Sequence, residues 1–281
     1  MKEDKASQLL EKCEVARRLE LHEAWSSVEH ARVQAQLYPE TGAISQAVAG
    51  GVAVFAGVKS PLSRAYALGL AGSVLPADLD AVETFFYRER ALLARLQVCP
   101  FADSSLLGLL GERGYAVQDS MNVYVRQVET LEDAPPAVPG VSIRVATVDE
   151  AKLWFELDGS AGDWAEPDGA AFMTIRCVLK ADTRLFLAWL DAQPIGGGAL
   201  EMHDGVAALI AAKTLPAFRH RGLHTALLHA RLAVAHQAGN DLAVVHTRPG
   251  AESQRNILRA GFQLAYTNVD MRKDVTGFGD L

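Results

Sequence analysis

The chain has 281 residues, 49% of them hydrophobic and 22% charged, with a net charge of -7, a composition ordinary for globular proteins and a length that fits two domains of common size. That acidic balance excludes a general nucleic-acid binder, which needs a basic face to neutralise phosphates. No apolar run approaches the roughly 18 to 20 residues that span a bilayer, and Met1–Lys12 is charged rather than signal-like, so the expectation is a cytoplasmic protein with no membrane partner. Cys13, Cys99 and Cys177 are few, odd in number and far apart, which fits reduced structural thiols rather than a disulfide framework or a metal site.

In the first half, Val52–Val58 and Ala65–Leu70 read as a strand hairpin, Leu79–Leu96 as a helix, and LQVCPF, beginning at Leu96, as a strand. The acidic and then proline-rich run RQVETLEDAPPAVPGV resists both helix and sheet, because proline lacks the N–H that either ladder needs. We therefore expect a domain over residues 1–126, a linker over 127–140 and a second domain over 141–281. Beyond the linker, VSIRVAT alternates as a strand, and Val148–Asp158 has helical spacing with Asp149 as a candidate N-cap. An acid- and glycine-rich loop, GSAGDWAEPDGAA, precedes an expected helix over Ala171–Leu179. Asp158, Asp163, Trp164, Glu166 and Asp168 make that loop either a solvated segment or a receiver for a cationic amine.

Three strands follow, Arg184–Leu190, Ile195–Met202 and Val206–Thr214, joined by turns with hairpin chemistry. Gly196–Gly198 leads into a strand rather than a helix, which favours close backbone packing or a bulge over a nucleotide loop. Next come a helix over Leu223–Gln237, a buried strand over Leu242–Thr247, a short helix over Ser253–Arg259 and a closing strand pair over Phe262–Arg272. The fold class is α/β (α+β), a mixed, mostly antiparallel sheet flanked by helices in each domain.

One repeat changes this reading. LLGERGYAVQDSMNVYVR (Leu109–Arg126) resembles NILRAGFQLAYTNVDMRK (Asn256–Lys273), with Gly114 against Gly261 and Tyr115 against Phe262, an offset of 147 positions. Carried back without a gap, the offset also aligns helices and strands upstream, so the two domains are read as copies of one unit.

The segment TLPAFRHRGLHTALL, Thr214–Leu228, passes from a strand end through a basic glycine turn into a helix. A helix start leaves several N–H groups unpaired at the positive end of its dipole, so it can bind a diphosphate. Arg219, His220 and Arg221 add charge, Gly222 permits a positive φ, and Thr225 offers a hydroxyl. In isolation the same residues also suit an ordinary strand-to-helix connection.

With that loop in its context, the second half resembles the Gcn5-related N-acetyltransferase (GNAT) superfamily, over about Val141–Lys273. Thr214-Leu215-Pro216 stands where that superfamily has a Val-x-Pro step, Arg219-x-x-Gly222-x-His224 where it has Arg/Gln-x-x-Gly-x-Gly/Ala, and Gly261-Phe262 where it has a closing Gly-Phe. The resemblance implies two tandem GNAT-like domains and acetyl-CoA as co-substrate, with no metal. It implies cofactor contacts from Ala212, Lys213, Thr214, Arg219, His220, Arg221, Gly222, Leu223, His224, Thr225 and Asn256.

Its departures are specific. His224 replaces a small residue or glutamine. Ile257 sits where many members have a tyrosine acid, and Gly250 where asparagine is common. The 147-residue offset places Gly72–Ala77 (GSVLPA) against the loop, with Leu75 at the Gly222 position, so the first copy is read as degenerate. Arg64, Arg88, Arg90 and Arg95 suggest a second cofactor site or, on a helix, a solvated face.

The implied activity is transfer of an acetyl group to an amine of a small molecule or peptide, by a monomer or homodimer. The alternative is a non-catalytic acyl-CoA-binding or regulatory module. His246 is the candidate base, with Glu201, His203 and Asp204 behind it. Ser253 or Tyr266 is a candidate donor to the leaving thiol.

Overall fold

In the computed structural model the described residues are 2–58, 60–128, 138–157 and 182–276. They fall into two compact units, Met1–Asn122 with Ala265–Leu281, and Val123–Leu264.

The first unit opens with α1, Lys2–Leu37. The run to Leu37 is free of glycine and proline and is rich in good helix formers, which favours a helix over this length. Strands β1 (Ile44–Val48), β2 (Gly51–Phe55) and β3 (Arg64–Tyr66) pair antiparallel in succession. Helix α2 (Pro76–Arg88) then crosses to β4 (Leu93–Val98), which runs parallel to β3. The expected helix over Leu79–Leu96 is therefore too long: Arg90, at φ 57, breaks it, and the rest alternates in burial as a strand. Helix α3 (Ser104–Glu112) leads to β5 (Ala116–Gln127). The period of two divides β2 between two layers: Ala53 and Phe55 pack with Leu79, Val82 and Phe86 of α2, and Val54 packs with Ala24 and Ala31 of α1.

The second unit begins with the end of β5 and continues through β6 (Val141–Val145), a 3-10 turn (Val148–Glu150) and α4 (Ala151–Glu156). Asp149 lies inside that turn rather than capping a helix. Glu150 precedes α4, and its carboxylate accepts from Thr147 N at 2.8 Å and pairs with Arg144 at 2.6 Å. Strands β7 (Thr183–Leu190), β8 (Gln193–His203) and β9 (Val206–Thr214) form an antiparallel meander with β6. Helix α5 (Leu223–Gln237) returns to β10 (Leu242–Thr247), parallel to β9, and α6 (Ser253–Arg259) closes the crossover. The expected strand pair over Phe262–Arg272 is one strand, β11 (Gln263–Asp274). From Ala265 onward β11 belongs to the first unit, where it pairs antiparallel with β4. The expected helix over Ala171–Leu179 and the acidic loop before it lie outside the described residues.

The repeat is visible element by element. Both β5 and β11 have the same bounds after the 147-residue offset, as do the first residues of α2 and α5, Pro76 and Leu223. Both closing glycines take a positive φ, 73° at Gly114 and 79° at Gly261, because the chain reverses there from helix to strand.

The triple glycine runs between two packed layers of the second unit. A Cβ on Gly196 would lie 2.9 Å from Leu223 of α5, and one on Gly197 would lie 2.7 Å from the Trp154 indole nitrogen of α4. Close packing, not nucleotide binding, accounts for Gly196–Gly198.

Candidate active site

Strand β9 leaves its parallel neighbour part-way along. It pairs with β10 from Val206 to Ala208, and these residues are buried. Further along, Ala211 and Ala212 are exposed. Between the two stretches lies a bulge: Ala199 of β8 faces Ile210, but Gly197 faces Lys213, so Ala211 and Ala212 together stand opposite the single residue Gly198. Ala211 adopts φ 50°, a left-handed conformation rare for a residue with a Cβ. The result is a widening gap with exposed backbone on one arm.

At the end of that arm Leu215 N donates to Ile195 O at 3.0 Å, and Pro216–Phe218 form a 3-10 turn. His220 (φ 63°) and Gly222 (φ 80°) are both left-handed, and Gly222 is the N-cap of α5. Among the described residues no side chain caps this helix start, and its first turn carries no acid. The early N–H groups of α5 are thus left facing the loop. Arg219, His220 and Arg221 are exposed around them, Arg219 donating to Thr214 O at 3.3 Å and Arg221 stacking 5.5 Å from the Phe218 ring centre. A cavity of about 260 Å³ abuts the loop, lined by Phe218, Arg221, Leu223, Ile195 and, from the expected linker, Val138 and Pro139.

His224 differs from its charged neighbours. Burial, reinforced by the nearby charge of Arg231, pulls its imidazole down to about 4, so it is neutral near pH 7. Its Nδ1 is buried and has no hydrogen-bond partner among the described residues. Thr225 is half-buried in the first turn. Lys213 extends its side chain over the Trp154 ring at 4.2 Å and donates to Phe155 O at 3.3 Å, so its backbone rather than its ammonium faces the gap.

On the other arm, His246 lies two residues past Val244, the last residue of β10 in register with β9. Ala243 and Val245 join the α5 core, so the alternation of the strand puts half-buried His246 on the opposite face. Ser253 Oγ lies 3.3 Å from Thr247 Oγ1 at the start of α6, and Asn256 is half-buried one turn on. Ile257 is 1% exposed, inside the core. A tyrosine there would be overpacked rather than presented to the gap.

Two groups of expected residues are not brought to this place. Tyr266 belongs to the first unit, where its hydroxyl donates to Glu20 at 2.9 Å, and burial together with that carboxylate pushes its pKa far up. His203 and Asp204 sit at the β8–β9 turn, the end of β9 remote from Thr214, and Glu201 is 1% exposed on β8. Arg64 and Arg95 lie on strands rather than on a helix, 3.6 Å and 3.1 Å from Asp270.

The site thus joins a parallel β9/β10 pair, in register only from Val206 to Ala208, to a glycine-led helix start with no side-chain cap among the described residues. Residues 150–262, most of the second unit, match the model of the acetyltransferase (GNAT) family. Solved structures extend the likeness to nearly the whole chain. A GCN5-related N-acetyltransferase from Kribbella flavida is 22% identical, covers 89% of this chain and 96% of its own, and has a TM-score of 0.62. A tandem GNAT protein from the clavulanic acid biosynthesis pathway is 14% identical over 88% of this chain and 87% of its own, also at 0.62. A GCN5-related N-acetyltransferase from Sphaerobacter thermophilus is 15% identical over 75% of this chain and 72% of its own, at 0.51. These likenesses are of fold. No curated protein matches the sequence. Among the described residues no helix is long and apolar enough to cross a membrane.

Proposed function

We propose that the second unit is an N-acetyltransferase that binds acetyl-CoA and passes its acetyl group to an amine of a small molecule or peptide. The observation that carries this is the pairing of an uncapped, glycine-led helix start with the exposed β9 arm that leads into it. The diphosphate would take the N–H groups of Leu223, His224 and Thr225 at α5, with Arg219, His220 and Arg221 screening its charge. The pantetheine arm would lie along Ala212–Thr214, with Asn256 within the same gap.

In the reaction the amine lone pair attacks the acetyl carbon. Negative charge gathers on the thioester oxygen, where a fixed backbone donor at the bulge lowers the barrier. The C–S bond then breaks and the thiolate leaves. The amine proton goes to His246 as general base, and the thiolate takes a proton from Ser253 or from water, since a thiol is a fair leaving group near neutral pH. No metal is required. The reading keeps the protein in the cytoplasm on its cysteine usage, as a monomer or homodimer.

The test is thiol release from acetyl-CoA with a panel of amines, beside direct titration of CoA binding. Amine-dependent release that falls at least tenfold in His246→Ala supports the reading. Tight CoA binding without release across the panel would favour an acyl-CoA-binding module instead, a reading that the core position of Ile257 supports. Absence of CoA binding would remove both.

A further inference from the structure

The least expected charge in the second unit is Arg231, in the third turn of α5. It is 0% exposed. Its Nε donates to Leu227 O at 3.0 Å, within its own helix. Its Nη1 donates to two carbonyls at once, Ala199 O of β8 and Ile210 O of β9, each at 3.2 Å. Those two residues face each other at the last regular pair before the bulge, and Ile210 immediately precedes left-handed Ala211. The remaining nitrogen, Nη2, is buried without a hydrogen-bond partner among the described residues.

The strand is shaped to admit this side chain. A Cβ on Gly198 would come within 2.9 Å of Arg231 Cζ and 3.0 Å of Nη1. Gly198 is also the single residue that faces the two-residue bulge. The third glycine of the triplet thus gives the guanidinium a seat directly against the distorted backbone. A buried cation with no carboxylate partner among the described residues is a poor way to gain stability, because an apolar residue of similar volume avoids its desolvation. Its position instead fits a clamp: a register shift disturbs the ladder, and one nitrogen ties the carbonyls of both strands at the point of disturbance.

We propose that Arg231 is a positioning residue for acetyl transfer, locking the β8–β9 bulge so that the exposed backbone at Ala211 and Ala212 is held ready for the thioester oxygen. The catalytic half of this statement rests on the acetyl-CoA reading above. The structural half does not, which makes the two separable.

Hydrogen–deuterium exchange of the paired amides that flank the bulge, at Gly197–Leu200 of β8 and Leu209, Ile210 and Lys213 of β9, tests the structural half in the free protein. Arg231→Met should speed their exchange about tenfold while the amides of Ala207 and Ala208 keep their protection. Kinetics tests the other half: kcat should fall about tenfold or more, with the KM for acetyl-CoA within about twofold, because the diphosphate loop is untouched. Arg231→Lys, which retains a donor, should recover part of kcat. Leu232→Ala serves as a destabilised control whose bulge exchange and kcat stay near wild type. Should Arg231→Met fail to fold, Gly198→Ala, which displaces the guanidinium, is read in the same way. Unchanged bulge exchange would overturn the clamp, and so would a loss confined to KM or shared equally by the Leu232 control. If the wild-type protein transfers no acetyl group but the exchange result holds, the functional reading falls and the clamp stands.

Discussion

Two helix starts, 147 residues apart, occupy the same place in the two copies and are built for opposite ends. In the first unit the N-cap of α2 is Leu75, extended at φ -97° and ψ 158°, and the helix begins with Pro76. The proline has no N–H to offer, and the Asp78 carboxylate accepts from Leu75 N at 2.7 Å, so an internal anion already sits at the positive end. In the second unit the N-cap is Gly222 at φ 80°, and the first turn has neither proline nor acid. One helix satisfies its own start, and the other has no side-chain cap among the described residues. On the proposed reading the fold is duplicated while the binding chemistry stays in one copy, because that chemistry resides in the backbone conformation and capping of one short turn.

A second contrast lies on the paired closing strands. Lys273 of β11 and Arg126 of β5 stand at equivalent positions. Lys273 Nζ lies 3.1 Å from Glu83, a carboxylate 1% exposed in α2, whereas Arg126 donates to the carbonyl of Ala260. The residue equivalent to Glu83 in the second copy is Ala230.

The sharpest way to break the first contrast is Gly222→Glu. It places a carboxylate in the loop and imposes a left-handed φ on a residue with a Cβ, and titration should show acetyl-CoA affinity reduced about 1,000-fold, or about 4 kcal/mol. Retained affinity would mean that the ligand does not use this helix start. For the closing strands, Lys273→Met removes one of the two cations beside buried Glu83, leaving Arg113 at 3.4 Å, and should lower unfolding free energy by about 2 kcal/mol, against about 1 for Arg126→Met, as read by urea denaturation. Equal losses would show that the buried carboxylate makes no difference.

The pH dependence of His224 is smaller. Its folded pKa lies below the unfolded value near 6.5, so the unfolded chain binds the proton more readily and stability falls as pH drops from about 6.5 toward 4. Allowing for partial exposure, His224→Gln should flatten the fall between about pH 7 and pH 5 by about 1 kcal/mol. Parallel wild-type and variant curves would show that the imidazole is not neutral in the fold. The smallest effect is expected for Asp78→Ala, a loss of about 0.5 to 1 kcal/mol with no gain of CoA affinity, since Pro76 still denies the first unit an N–H. Measurable CoA binding by that variant would show that self-capping alone had silenced the first copy.

Much of the second half was legible because its elements are strongly patterned. The bounds of the helix from Leu223 to Gln237, the strand from Leu242 to Thr247 and the helix from Ser253 to Arg259 follow from apolar period and from Gly222, Gly239 and Gly261. The first half was harder. Its long opening helix carries buried Glu20, His22, Ser26 and His30, so its polar residues do not mark the solvent side. The Leu79–Leu96 stretch keeps helical spacing past Arg88, and the break at Arg90 is a backbone event with no glycine or proline to announce it.

By itself the sequence determined the duplication, the glycine turn and the basic loop, because each is local: a repeat offset, a residue without a Cβ, and charges adjacent along the chain. Only the tertiary structure decided that β11 completes the sheet of the first unit and thereby removes Tyr266 from the candidate site. It also decided that Ile257 turns into the core and that Arg231 meets Gly198 and Ile210. These outcomes depend on which strands and helices pack together over long separations, and no residue pattern confined to one element carries that information.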